Sequence, residues 1–287
     1  MSIHSVLTLV QFDNHDVSGL IELSASVGWD YDGHEIGTVL KSGKIFGHKT
    51  EEGNIVSSAA IIPYDSKLAS IGMVIVKKEF RGLGLGKKAT QKCIDSVSND
   101  TSIMLIATEE GKPLYERMGF ITVDSVNKYI CDNYETTIPL TYRDVMIEKF
   151  RETDFDKVLK LDQESFGDQR STFLRNRINQ SEQSLVIKDS EANIIGFGLS
   201  ILGPLNLIVG PIVAPNTQMA ALILDKLASN HKGRLRIDVP SEHTEFMFML
   251  EKSGFKQVSK PPIMMKNSTK MPLRNHSLFG IAAQIFG

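Results

Sequence analysis

Apolar and polar positions in the first half of the chain fall into short runs, and their period changes near residue 85. Residues 44–48, 55–64 and 69–76 are rich in Ile, Val and Ala and are bounded by polar turn segments at 51–54 and 65–67. Such runs read as consecutive β-strands, because the turn residues hold them to strand length. Beyond a glycine-bearing segment, the apolar positions Ala89, Cys93 and Val97 recur every fourth residue. That spacing lays one apolar stripe along a helix. Residues 102–108 form a further strand, a short helix carries Tyr115, and 121–130 supplies the next strand. Strands flanked by helices in this order predict an α/β (α+β) domain built on a mixed sheet.

The pattern returns later in the chain. Leu7 to Val17 lines up with Val145 to Phe155, each reading as a strand, a turn offering aspartate as a helix N-cap, and an amphipathic helix. That helix carries Leu20, Ile21 and Leu23 in the first copy and Val158, Leu159 and Leu161 in the second. Phe12 and Phe150 lie 138 positions apart, as do Gly72 and Gly210, while Gly119-Phe120 precedes Gly254-Phe255 by 135. Nearly constant offsets at three landmarks predict one fold present twice in tandem. The join falls in a polar, proline-bearing stretch. The expected boundaries are 1–134 for the first domain, 135–143 for a linker and 144–287 for the second.

Composition narrows the function classes. At 287 residues and 31.8 kDa the chain is long enough for two cores. A formal net charge of −2, with no long basic run, supplies no field for a nucleic acid backbone, so no nucleic-acid partner is expected. No segment approaches the roughly 18 apolar residues of a spanning helix, so no membrane partner is expected either. The N-terminus lacks the basic and apolar regions of a signal peptide. Cys93 and Cys131 show neither CxxC nor metal-ligand spacing, and the seven histidines form no compact ligand set. These features predict a cytoplasmic protein with reduced thiols and no metal.

Chemistry concentrates in Val74-Ile75-Val76-Lys77-Lys78-Glu79-Phe80-Arg81-Gly82-Leu83-Gly84-Leu85-Gly86-Lys87-Lys88, a strand, a charged turn, three alternating glycines and a helix start. Glycines let the backbone approach a ligand closely, and a helix start offers unpaired N–H groups and the positive end of a dipole. Both suit a pyrophosphate. Lys87 stands where a P-loop or a dinucleotide fingerprint would need glycine, which excludes both. What remains is R-x-x-G-x-G, filled by Arg81, Gly84 and Gly86. Downstream, Leu114-Tyr115-Glu116-Arg117-Met118-Gly119-Phe120 gives an L-Y-x-x-x-G-F run.

In this order the two motifs resemble the acyl-CoA loop and the closing motif of the GNAT N-acetyltransferase superfamily. Nearly the whole chain resembles its two-domain bacterial members, which pair an active N-terminal GNAT domain with a degenerate C-terminal one. Gly28-Trp29-Asp30, Ile237-Asp238-Val239-Pro240 and Leu278-Phe279-Gly280-Ile281-Ala282 add to the likeness. The resemblance implies the acyl-CoA N-acyltransferase fold in both copies and acetyl-CoA as co-substrate. It implies cofactor contacts from Val74, Ile75, Val76, Arg81, Gly82, Leu83, Gly84, Leu85, Gly86 and Lys87. Loop N–H groups would bind the pyrophosphate, and a backbone N–H of Val74 or Val76 would polarise the thioester carbonyl. An amine would attack the thioester directly, and Tyr115, protonated at neutral pH, would protonate the departing thiolate. The attacking amine needs a route to lose its proton, and Asp30, Asp32, His34 and Glu35 form a titratable cluster after Trp29, in the segment that often borders the acceptor site in this superfamily. Glu109 and Glu110 are alternative bases through water. Many relatives carry asparagine where this chain has Thr108, so that cofactor contact is not carried over.

The second copy lacks this chemistry. Met219, Leu222 and Leu224 stand where Arg81, Gly84 and Gly86 would recur, and Leu250 stands for Tyr115. Pro211 and Pro215 fall in the matching strand and are expected to interrupt it. The second domain is therefore expected to bind no acyl-CoA in the same mode, and to pack against the first or shape its acceptor site. The apolar C-terminal run is expected to dock across a domain surface. The implied function is acetyl transfer from acetyl-CoA to a primary amine of a small molecule. The alternatives are a protein lysine or N-terminal acetyltransferase and a non-catalytic acyl-CoA sensor.

Overall fold

A computed structural model of the chain describes residues 6–136 and 145–287; most of the expected linker, 135–143, lies outside the described residues. The first half runs β1 (Thr8–Phe12), α1 (Val17–Ala25), α2 (Gly33–Ser42), β2 (Lys44–Lys49), β3 (Ile55–Pro63), β4 (Leu68–Val76), α3 (Leu85–Ile94), β5 (Ser102–Ile106), α4 (Lys112–Arg117) and β6 (Ile121–Cys131). The second half repeats this order as β7 (Val145–Lys149), α5 (Phe155–Phe166), α6 (Ser171–Gln180), β8 (Gln183–Asp189), β9 (Ile194–Leu202), β10 (Leu207–Val213), α7 (Thr217–Ala228), β11 (Leu235–Pro240) and α8 (Thr244–Lys252). It ends with β12 (Lys256–Ser259) and β13 (Pro262–Lys266) in place of one long strand, and a closing β14 (Leu278–Gly280). The mixed α/β fold, present twice, is the one the pattern predicts. Even the opening turn recurs: Asp16 and Asp154 each accept a hydrogen bond from the backbone N–H three residues earlier, at 3.1 and 2.9 Å.

The strands join one fourteen-stranded sheet whose main path is β1-β2-β3-β4-β5-β13-β6-β11-β10-β9-β8-β7. Its centre is an exchange. Strand β13 of the second half pairs antiparallel with β5 of the first, and β6 of the first pairs antiparallel with β11 of the second. Strands β6 and β13 also pair with each other, Ser125 opposite Pro262. Each half's last long strand thus completes the other's sheet. Ladder hydrogen bonds join the halves, and separating them would bare strand edges at β5 and β11.

Two divergences in this sheet position the site. Parallel β4 and β5 pair only from Leu68–Ser102 to Ile71–Leu105 and then part. There β4 bulges: its register against β3 shifts between Ser58 and Ala60, and Met73 adopts a φ of 52°. The Ser58 hydroxyl donates to the Met73 carbonyl at 2.7 Å and holds the bulge. A left-handed backbone at a non-glycine strand residue persists only where its surroundings enforce it. Strands β10 and β11 diverge likewise after two pairs, Leu207–Leu235 and Ile208–Arg236. The expected interruption by Pro211 and Pro215 is corrected, and Pro215 lies beyond the end of the strand. β10 runs through to Val213, because a register irregularity between Val209 and Ile212 spares the ring a ladder bond.

The C-terminal run fills the second divergence. β14 pairs with β10, Gly280 opposite Ile212, and the Ile281 N–H donates to the Asp238 carbonyl on β11 at 2.9 Å. The chain then crosses to the first half, where the Ser70 hydroxyl donates to the Ile285 carbonyl at 2.7 Å and the Tyr64 hydroxyl donates to that of Phe286. Two fully buried arginines fasten the run. Arg170, paired with Asp162 at 2.7 Å, donates to the Phe286 carbonyl; Arg177, paired with Glu35 of the first half, donates to that of Ala282.

Candidate active site

The glycine loop is open and pre-shaped. Gly82 and Gly84 adopt φ values of 81° and 73°, the left-handed region that favours glycine. A Cβ on either would meet no atom within 4 Å, so conformation rather than crowding sets the residue type. Gly86 differs: its Cβ would lie 3.4 Å from Val76 and 3.6 Å from Leu114, so it seats α3 against β4. Gly84 is the N-cap of α3, and no side chain among the described residues caps that end. The first-turn N–H groups therefore remain available to an anion, and the dipole favours one. Arg81, Leu83 and Lys87 are exposed around the loop, while Leu85 is buried beneath it. Val74 and Val76 flank Gly86 with half-buried side chains, and Ile75 is buried.

Tyr115 lies on α4 beside this loop, mostly buried, with its ring edge-on to Phe120 at 6.0 Å. Its hydroxyl makes no hydrogen bond with any described residue. Burial, reinforced slightly by nearby Cys93, pushes the phenol well above its ordinary range. The group therefore holds its proton at any physiological pH.

A cavity of about 420 Å³ lies between the halves and reaches the β4–β5 divergence at Gly72, Met73 and Ile106. Of the expected acceptor-site residues, Trp29, Asp30, Asp32 and Glu35 line it and His34 does not. Two of these carboxylates are already committed. Asp32 caps α2 by accepting the Glu35 N–H at 2.8 Å, and Glu35 accepts hydrogen bonds from Arg177 and Gln180. Asp30 has a single long contact, 3.4 Å from the Asn206 amide. Glu109 also lines the cavity and has no hydrogen bond or ion pair with a described residue, whereas Glu110 faces Arg81 at 3.8 Å.

Sequence reasoning missed the rest of the lining. Arg236 and Ile208 come from the second half, Lys128 from β6, and Gln284 and Ile285 from the C-terminal run. Asp238, 1% exposed, accepts the Arg236 Nε–H at 2.8 Å and the Gln284 amide at 2.8 Å. One signal was present: Arg236 and Asp238 alternate within an otherwise apolar strand, so both point to the same face. The left-handed Met73 left no mark in the sequence.

The matching site of the second half is closed. The residues matching Arg81 to Gly86 lie inside α7, so the loop has become helix, and Met219, Leu222 and Leu224 are buried. The Asn216 side chain caps that helix. A Cβ at Gly210 would lie 2.1 Å from the Ile281 carbonyl oxygen, and β14 occupies the divergence. Leu250, at the place of Tyr115, is buried on α8. Among the described residues no group of three or more His, Cys, Asp or Glu could hold a metal, and no helix is long and apolar enough to cross a membrane.

Comparison with known proteins agrees with this geometry. Two family profiles, each described as an acetyltransferase (GNAT) domain, match residues 34–130 and 158–280. The chain is 38% identical over 281 residues to the Bacillus subtilis (strain 168) protein "Uncharacterized N-acetyltransferase YitH", covering 97% of this chain and 98% of that one. A putative acetyltransferase from Pyrococcus horikoshii shares the fold over 100% of this chain and 98% of its own, with a TM-score of 0.82 at 19% identity. A tandem GNAT protein from the clavulanic acid biosynthesis pathway shares it over 91% of this chain and 98% of its own, with a TM-score of 0.67 at 12% identity.

Proposed function

Because the chain belongs to the GNAT acetyltransferase family, a family of acyltransferases that use acetyl-CoA, we propose that it acetylates the primary amine of a small molecule by direct attack on the thioester. The observation that carries this reading is the cavity of about 420 Å³ ending where β4 and β5 part, the two strands that lead on to the uncapped glycine loop and to α4. In this reading Gly82 to Lys87 offer N–H groups to the pyrophosphate, and the pantetheine arm enters the divergence. A backbone N–H of Val74 or Val76 polarises the thioester carbonyl. The neutral amine attacks from the cavity; the C–N bond forms, and the C–S bond breaks as the tetrahedral intermediate collapses. Tyr115 protonates the thiolate, and Glu109, the uncommitted carboxylate next to the divergence, takes the amine proton through water.

A pocket walled from three parts of the chain favours a small acceptor over a protein tail. The cavity walls come from both halves and from the C-terminal run, whereas a protein tail needs an open channel. An amine library offered with acetyl-CoA, followed by free thiol release, tests the reading. Turnover of low-molecular-weight amines is the expected result. Acetylation confined to lysine side chains or peptide N-termini would make this a protein-modifying enzyme. Acetyl-CoA binding without thiol release would make it a sensor.

A further inference from the structure

The charges lining the acceptor cavity are segregated by wall. Asp30, Asp32, Glu35 and Glu109 come from the first-half loop and helix at 30–35 and from the end of β5. Lys128, Arg236 and Lys260 come from β6, β11 and the β12–β13 connection, which adjoin in the central sheet. Most of these groups have partners: Arg236 is paired with Asp238 at 2.8 Å, and Glu35 with Arg177. Lys128 does not. It stands opposite Asp238 in the β6–β11 ladder, yet the Asp238 oxygens are taken by Arg236 and Gln284. Its ammonium forms no hydrogen bond or ion pair with any described residue. Burial, and after it the field of Arg236, weakens its hold on the proton, and the fields of Asp238 and Asp30 only partly offset them. A half-buried cation with no direct ion pair is costly unless something that enters the cavity supplies one. Met73, Ile201, Leu202 and Ile208 add apolar stretches to the wall, beside the polar side chains of Thr108, Gln180 and Gln284.

We infer that the acceptor bears a carboxylate as well as its amine on an apolar body, and that Lys128 is the residue that selects it. The inference rests on reading this cavity as the acceptor site. The amine faces the acidic wall and Glu109, and the carboxylate faces Lys128. Matched ligands with and without the acid group test it: phenylalanine against 2-phenylethylamine, and 6-aminohexanoate against hexylamine. The two pairs separate the charges by different lengths.

Binding to the full chain is measured by calorimetry, with acetyl transfer followed separately. A carboxylate member should bind about tenfold or more tighter than its partner amine, the usual effect of a charged hydrogen bond. Lys128→Met should abolish that preference while acetyl-CoA still binds, and Lys128→Arg should keep most of it. The inference is overturned if the plain amines bind as well, if no carboxylate member binds, or if Lys128→Met leaves the preference intact. A preference that binds without transfer would leave the inference standing and count against acetyl transfer instead.

Discussion

The Asn216 side chain accepts a hydrogen bond from the Met219 N–H at 2.9 Å, closing a helix end that its counterpart at Gly84 leaves open. The two helices hold the same place in two copies of one fold, but α7 starts about six residues earlier, so the loop is absorbed and the two ends have opposite uses. A capped N-terminus spends its N–H groups on its own side chain and gains stability; an uncapped one keeps them for an anion. With β14 lodged in the second divergence and the matching loop turned into helix, one cofactor site per chain is the expected stoichiometry.

Calorimetry with acetyl-CoA should therefore give one site per chain. Gly84→Val should lose at least about tenfold in affinity. It forces a branched residue into the left-handed region, at roughly 1–2 kcal/mol, and places its side chain on the open face of the loop. Two equivalent sites, or unchanged affinity in the variant, would refute the assignment.

Tyr115→Phe should lower kcat on the order of a hundredfold and leave acetyl-CoA affinity nearly unchanged, since the ring stays and only the proton donor goes. The sign of the pH dependence follows from burial. Burial raises the phenol above its ordinary value, so the acid stays protonated through neutral and moderately alkaline pH. The rate should rise as the acceptor amine loses its proton and then level off. An alkaline decline centred below pH ~10 that vanishes in Tyr115→Phe would leave Tyr115 as the acid but contradict its raised pKa; a turnover within a few-fold of wild type would remove Tyr115 from the chemistry.

What was legible in the sequence was local. The glycine spacing, the L-Y-x-x-x-G-F run and the offset of 138 all lie within single elements or recur along the chain, and each has its place in the fold. Long-range pairing was not legible. Nothing in residues 262–266 says that β13 pairs with β5 rather than with its own half, because both partners present similar apolar strands. Nor does anything local mark Arg170 and Arg177 as buried, because Glu35 and the C-terminal carbonyls that hold them are distant in the chain. His34 and Glu35 looked equivalent, but neighbours on a helix differ by about 100° in direction, and only Glu35 reaches the cavity.

Truncation after Tyr134 should not give a working enzyme. It removes β13 from the side of β5 and the C-terminal run from Gly72, baring a strand edge and the apolar side chains beneath. Aggregation, or loss of acceptor turnover in any soluble fraction, is the expected outcome. A soluble 1–134 fragment with full activity would make the second half an independent appendage.

Gly72 and Ile285 give the sharpest test of how the C-terminal run is coupled to the site. A Cβ at Gly72 would lie 2.5 Å from Ile285 Cγ1 and 2.9 Å from its Cα. Gly72→Ala should thus overpack the seam, at about 1–3 kcal/mol. Ile285→Ala deletes a side chain only 3% exposed and should cost about 2–5 kcal/mol. Combined, the two should destabilise less than their sum, because the shortened Ile285 no longer holds its Cγ1 against the new methyl. That methyl still presses on the Ile285 backbone, so relief is partial; a coupling of roughly 0.5–3 kcal/mol by urea unfolding is expected. Both residues line the cavity proposed to take the acceptor and lie off the glycine loop. Each single variant should therefore raise the acceptor KM more than it weakens acetyl-CoA binding. Strict additivity, with an unchanged acceptor KM, would mean that the run packs beside β4 without shaping the site.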